Sequence, residues 1–191
     1  MHHAHGVNNP RIVLADDFGW ADHTLHDLGG DIPTPNLRAL RDQGVLFDNL
    51  YVQPVCSPTR SALMTARFPF RDGMQHMSTI APWSTAAIPL DTPTIAEMVT
   101  EEAGYEAHAI GKWHQGFASW RNVPVGRGFL THTGYMQGQT DYWNHTFGVV
   151  NAFFDIGAAG LDFWKCKQPD QPLPDQPPCE ALYSTAYSLD E

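Results

Sequence analysis

Gly104-Tyr105-Glu106-Ala107-His108-Ala109-Ile110-Gly111-Lys112-Trp113-His114 sets a helix end, a strand and a charged loop one after another, the succession from which an α/β fold is built. Upstream, Thr92-Pro93 opens a helix, and Ile95, Met98 and Val99 give it an apolar stripe at helical spacing. Gly104 closes that helix as the residue past its last turn. Ala107 to Ile110 predicts a strand that delivers Lys112 and His114 at its carboxyl end. Residues two apart in an extended chain face one side, so both can line one pocket while Trp113 packs opposite. Lys112 would neutralise a substrate oxygen, and His114 would bond a reacting group or shuttle a proton. A solvated lysine and a satisfied histidine on a loop is the plainer alternative.

The same alternation extends towards the N-terminus. Ile12-Val13-Leu14-Ala15 reads as a buried strand of a parallel sheet, ending in Asp16-Asp17. Thr34-Pro35-Asn36-Leu37 opens a helix with Leu37 and Leu40 inward, closed by Gly44. Val45-Leu46-Phe47 and the residues to Tyr51 then predict a strand leading to Cys56. Strands alternating with helices predict an α/β fold built on a mostly parallel, doubly wound sheet, one that stops early. Ligands of such sheets gather outside the carboxyl ends of the strands. Two adjacent carboxylates there repel unless a cation sits between them, and all-oxygen ligation suits calcium or magnesium. Two solvated aspartates in a turn is the alternative.

Between these segments stands Cys56-Ser57-Pro58-Thr59-Arg60. Pro58 suits the first helical position and Ser57 the cap before it, with a short helix through Thr65 on which Leu63 and Met64 are apolar. Cys56 would sit at the positive end of the helix dipole, where backbone N–H groups welcome an anion. Arg60, one turn on, adds a fork of donors suited to a tetrahedral oxyanion. This is a nucleophile beside an oxyanion cradle, set against the alternative of a cysteine packed as a small hydrophobe.

The pattern Cys-x-Pro-x-Arg, continued here by Ser61-Ala62-Leu63-Met64-Thr65-Ala66-Arg67, resembles the signature of the type I sulfatases, with Ala66 where glycine is usual. That departure lies beyond the chemistry and points to tight helix packing. Gly111-Lys112-Trp113-His114 resembles the second sulfatase signature, with Ala107 where serine or threonine is typical. Ile88-Pro89-Leu90-Asp91, Gly126-Arg127-Gly128-Phe129 and Gly134-Tyr135 look like further landmarks of that family. Phe68 to Gly73, Gln75-His76 and Asp141-Tyr142-Trp143 are similar to the arylsulfatase B-type branch. Several motifs in one order are more specific than any one alone. The likeness spans roughly residues 10 to 148, leaving 1–9 as a disordered start and 149–191 as a poorly assigned continuation with a proline-rich loop.

The resemblance implies an alkaline phosphatase-like fold and hydrolysis of a sulfuric ester. It implies that Cys56 is converted to formylglycine by a formylglycine-generating enzyme, and that the hydrated aldehyde is the nucleophile. Arg60, Lys112 and His114 would be the catalytic partners, and Asp16, Asp17 and the modified Cys56 would share a calcium ion, with magnesium the lesser choice. The substrate class is an aryl sulfate or sulfated carbohydrate. A phosphate or phosphonate monoester hydrolase of the same superfamily, and a non-catalytic fragment, are the competing readings. Asp16 and Asp17 supply only part of the roughly six to eight oxygens that calcium takes. The family's later acidic-amide pair and its distal histidine and lysine have no convincing match after His114. The 191-residue chain is therefore expected to be an incomplete enzyme that folds poorly and turns over little.

Charge and cysteines add the setting. With 21 acidic against 11 basic residues the net charge is −10, which argues against nucleic acid as a partner. Anion binding must then rest on local positives such as Arg60 and Lys112. Cys166 and Cys179 flank a loop carrying Pro169, Pro172, Pro174, Pro177 and Pro178, and a bridge there would contribute about 3 kcal/mol. Asn144-His145-Thr146 is a glycosylation acceptor sequence. Together they favour the secretory pathway, outside the cell or in lysosomes. No apolar signal region follows Met1, and no stretch is long enough to span a membrane. His2, His3 and His5 read as a disordered polar terminus rather than a metal site. Val149 to Phe154 suggests a strand or a lining segment, the tail to Glu191 has no clear periodicity, and no internal repeat is found.

Overall fold

The computed structural model describes residues 9–26, 32–76, 80–81, 84–151, 156–169 and 179–182. His2, His3, His5, most of the proline-rich loop and the tail from 183 lie outside them. The chain divides into two units, 1–51 and 52–191.

In the first unit, helix α1 (Pro35–Gln43) begins with proline in its first turn, where a missing N–H costs nothing, and ends at Gly44. Thr24 and Thr34 clasp its approach through paired hydroxyls 3.1 Å apart, and Arg41 reaches back to the Leu25 carbonyl at 2.5 Å. Two expectations are overturned here. Leu37 and Leu40 are not inward, since α1 buries none of its residues. Neither Ile12–Ala15 nor Val45–Tyr51 forms a strand: both run extended or turned without ladder partners among the described residues. Val13 is 93% exposed and Tyr51 86%. An apolar run becomes a strand only where a neighbour takes up its N–H and C=O groups.

The second unit holds the sheet. Helix α2 (Cys56–Thr65) and a 3-10 turn (Pro69–Arg71) precede helix α3 (Ile95–Ala103), which falls where its stripe predicts but opens at Ile95 rather than at Thr92-Pro93, because Thr94 takes the cap. Thr94 and Glu97 cap α3 reciprocally, each side chain bonding the other's backbone N–H, and Gly104 ends it at φ 68°. Its most buried residue is Ala96, not the stripe. Strand β1 (Ala107–Ile110) falls where predicted and pairs in parallel with β2 (Phe129–Gly134). The crossover between them is a loop with a second 3-10 turn (Pro124–Arg127). A hairpin of β3 (Thr146–Asn151) and β4 (Ile156–Leu161) stands apart. Strands β5 (Trp164–Lys167) and β6 (Cys179–Ala181) complete the main sheet in the order β1-β2-β5-β6. The α/β class holds and the sheet is partly parallel: β2–β5 and β5–β6 are antiparallel.

Trp113, Val123, Val125, Phe129 and Met136 form the core with the Cys166–Cys179 disulfide, whose cysteines face each other across β5–β6. Trp113 meets Phe129 edge-on at 6.1 Å. A smaller cluster of Met74, Ile80 and Ile88 joins it through Met64 and Phe117. Past the strand ends the backbones come so close that a Cβ on Gly134 would lie 2.1 Å from the Gly111 carbonyl oxygen. Only glycine fits there, and the loop carrying Lys112 and His114 is thereby held against the end of β2.

Candidate active site

Cys56 is the first residue of α2, behind an extended Val55 that provides no side-chain cap. The predicted cap at Ser57 is therefore corrected: Ser57 is the second helical residue and Pro58 the third. The cap gave way because the Ser57 hydroxyl is used elsewhere. Helix α2 buries Ser57, Ser61 and Thr65, a row of small hydroxyl residues one turn apart, while Leu63 and Met64 are half-buried. Its far end is fixed by the Thr65 hydroxyl, which donates to the Ser61 carbonyl at 2.9 Å and lies 3.3 Å from the buried Asp72 carboxylate. Arg67 ties Asp72 to Thr92. Ala66 sits at φ 54° in the left-handed region. Backbone conformation, not tight packing, is therefore what favours glycine at this position.

The loop after β1 is laced to the segment after β2. Gly111, Trp113 and His114 donate their N–H groups to the carbonyls of Thr133, Tyr135 and Met136. Trp113 is buried on one side, as predicted, and its indole N–H reaches the Gly116 and Asn122 carbonyls. His114, at φ 53° and 7% exposed, meets α2. Its Nδ1 lies 3.2 Å from Cys56 Sγ, and the Ser57 hydroxyl stands 3.2 Å from Nδ1 and 3.4 Å from Nε2. Arg60 donates to the Lys112 carbonyl at 2.6 Å, joining α2 to the same loop. Cys56 and His114 thus meet side chain to side chain and Arg60 reaches the Lys112 backbone, from two segments about fifty residues apart; the left-handed backbone at His114 departs from the extended run expected between Lys112 and His114, and Lys112 and Arg60 are half-buried.

Three groups that sequence reading missed hold this junction. Gln115, 1% exposed, donates from Nε2 to the carbonyls of Ser57 and His114. Asp162, 6% exposed, accepts the N–H groups of Met136 and Gln137 at 2.9 and 2.8 Å, and the Trp164 indole N–H. Gly138 lies flat against His114: a Cβ there would come within 2.9 Å of Cε1. None has a local sequence signature, because each acts on a partner distant in the chain.

Asp16 and Asp17 lie in the first unit, both exposed, with Asp17 at φ 50° where aspartate is tolerated better than most residues. Adjacent exposed carboxylates fit part of a hard-cation shell by their chemistry. Among the described residues no three His, Cys, Asp or Glu side chains group to hold a metal. Elsewhere, burial pushes the His132 imidazole below its ordinary value of 6.5, opposed by its bond to the Gly111 carbonyl. The backbone N–H groups of Asn144 and Trp143 hold the exposed Asp141 carboxyl below the usual range. Asn144 is exposed, and its side-chain oxygen accepts the N–H and hydroxyl of Thr146.

The Sulfatase family model matches residues 10–167. Arylsulfatase J of Mus musculus is 40% identical over 142 residues, covering 73% of this chain and 23% of its own length. The arylsulfatase of Klebsiella aerogenes is 34% identical over 160 residues, covering 78% of this chain and 34% of its own. The crystal structure of Ps i-CgsB superposes with a TM-score of 0.62 at 36% identity, over 69% of this chain and 28% of that one. A second crystal structure of Ps i-CgsB, in complex with k-i-k-neocarrahexaose, has a TM-score of 0.61 at 35% identity, over 67% of this chain and 28% of that one. The matched region spans 23% and 34% of the length of these two curated relatives.

Proposed function

This chain belongs to the sulfatase family, and from that premise we propose that it carries the nucleophile end of a sulfuric ester hydrolase site. The observation that carries the reading is the 3.2 Å approach of Cys56 Sγ to His114 Nδ1 at the start of α2. It joins in space the two segments that motif reading had linked only by order. Formylglycine made from Cys56 would supply an oxygen nucleophile, and calcium held in part by Asp16 and Asp17 would offset substrate charge.

The chain's own groups prepare the rest. The first N–H groups of α2 have no intrahelical acceptor and face the position an anion would take. Lys112 and Arg60 add positive charge in a molecule of net charge −10, so substrate attraction is local. His114, packed against Cys56 and Gly138, is placed to bond the hydrated aldehyde formed at Cys56 and to shuttle a proton there. In the net reaction the sulfate ester and water yield the alcohol and sulfate, with the S–O bond to the alcohol broken. Sulfated carbohydrate is the favoured substrate class, in keeping with the carbohydrate seen in the Ps i-CgsB complex.

The Cys166–Cys179 bridge and the exposed Asn144 acceptor support maturation in an oxidising, glycosylating compartment. Among the described residues no helix is long and apolar enough to cross a membrane. The test is co-expression with a formylglycine-generating enzyme, followed by peptide mass spectrometry at Cys56 and assays with aryl sulfate and aryl phosphate. Conversion at Cys56 with a sulfate preference is expected. An unmodified thiol in folded protein, or a phosphate preference, would overturn the reading. Calorimetry should show weaker calcium binding in Asp16→Ala and Asp17→Ala, independently of turnover.

A further inference from the structure

We propose that Ser57 is a positioning residue for His114, one that keeps the imidazole aligned once the sulfur of Cys56 has gone. The proposal rests on the sulfatase reading above. Ser57 is fully buried, at 0% exposure, although it stands only one residue from the helix start. A serine inside a helix ordinarily turns its hydroxyl to water or back to a carbonyl of the preceding turn. Here the hydroxyl instead lies within reach of both ring nitrogens of His114, at 3.2 and 3.4 Å.

Cys56 Sγ stands at the same 3.2 Å from Nδ1. Nearly equidistant from the two ring nitrogens, the Ser57 hydroxyl lies over the ring rather than in line with either nitrogen, so it holds the imidazole without displacing the thiol from Nδ1. Conversion of Cys56 to the aldehyde, with dioxygen as oxidant and a thiol reductant supplying two electrons, releases the sulfur as hydrogen sulfide along with one water and leaves an oxygen on the same carbon. Ser57 then retains a hydroxyl on the ring. Its separation from the ring is braced by Gln115, whose carboxamide bonds the Ser57 and His114 carbonyls together. The backbone at Gly138 also packs on the ring, with room for no Cβ. Ring, hydroxyl and carboxamide make one buried assembly, and each position is set by two segments of chain.

The test uses the full chain with labelled histidine, the His114 ring signals being assigned by His114→Gln. At one fixed pH, Ser57→Ala should move the His114 ring signals or split them into two conformers. Ser57→Thr, which keeps the hydroxyl, should stay close to the parent, and the near-isosteric Ser57→Val should behave as alanine does. In matured protein that turns over aryl sulfate, Ser57→Ala should lower kcat about tenfold with KM little changed, the loss expected for one hydrogen bond, and threonine should restore it. Ring signals that superpose on the parent in Ser57→Ala, or equal signals in the threonine and valine variants, would overturn the proposal. The ring spectra need no turnover. Matured protein that fails on aryl sulfate would therefore count against the sulfatase reading alone, with Ser57 still decided by the spectra.

Discussion

At the scale of single residues, two side chains carry strain that experiment can release. Ala66 ends α2 in a left-handed backbone, which costs an L-residue about 1–2 kcal/mol. Glycine relieves that and gives back about 0.5–1 kcal/mol in unfolded-chain entropy. Ala66→Gly should thus stabilise the fold by roughly 0.5–1 kcal/mol, read as a higher urea midpoint. His132 is buried with its Nε2 on the Gly111 carbonyl, and burial lowers its proton affinity below the ordinary 6.5. Between that lowered folded value and 6.5 the unfolded chain binds more protons than the native one, so stability rises with pH across the window. The His132 contribution should be constant above about pH 6.5 and decline below it, levelling off only beneath the folded value. Urea midpoints at pH 7.5 and 5 should differ less in His132→Gln than in the parent.

At the scale of elements, α3 is the best-braced piece of the second unit. Thr94 accepts the Glu97 N–H while donating to the Arg127 carbonyl at 2.8 Å. Arg127, 1% exposed, bonds the carbonyls of Ile88, Pro89 and Thr92 and pairs with the Glu97 carboxylate at 3.2 Å. The helix start, the loop before it and the turn leading into β2 are joined through one guanidinium. Removing it strands a partly buried carboxylate and several carbonyls, a loss of about 3–5 kcal/mol. Thr94→Ala should cost less, about 1–2 kcal/mol, since one cap and one hydrogen bond are lost. Urea unfolding of the two variants should keep that order. Had Arg127 been bound only at the surface, both would fall within a few tenths.

At the scale of the whole chain, the covalent tie between β5 and β6 matters most. Cys166 and Cys179 are 13 residues apart and sit in the core cluster. Replacing both with alanine should lower stability by about 2–4 kcal/mol, with β6 the first segment to lose amide protection on hydrogen exchange. Unchanged exchange across Cys179–Ala181 would show the strand to be held by its ladder alone. The exposed Asn144 side chain makes a second whole-molecule expectation: secreted protein should carry a glycan there, removable by an amidase and absent in Thr146→Ala.

Local signals in the chain were enough for helix α3 and strand β1. Capping chemistry, a closing glycine and short-range periodicity are properties of neighbours in sequence, and neighbours are what a sequence displays. Cys56, Arg60, Lys112 and His114 were legible for a related reason, since their spacing within two short motifs is itself local. Where the prediction failed, the deciding partner was remote. Ile12–Ala15 and Val45–Tyr51 have strand composition, yet a ladder needs a second chain segment and none among the described residues pairs with them. Ser57 had cap chemistry and spent its hydroxyl on a histidine 57 positions away. Gln115, Asp162 and Gly138 look ordinary as letters and acquire their roles only because two strand ends meet. The order of residues was enough for the family's motifs and for the segments that coil locally. The tertiary structure decided which hydroxyl, amide and carboxylate hold them in place, because hydrogen-bond partners in a buried site are chosen by proximity in space.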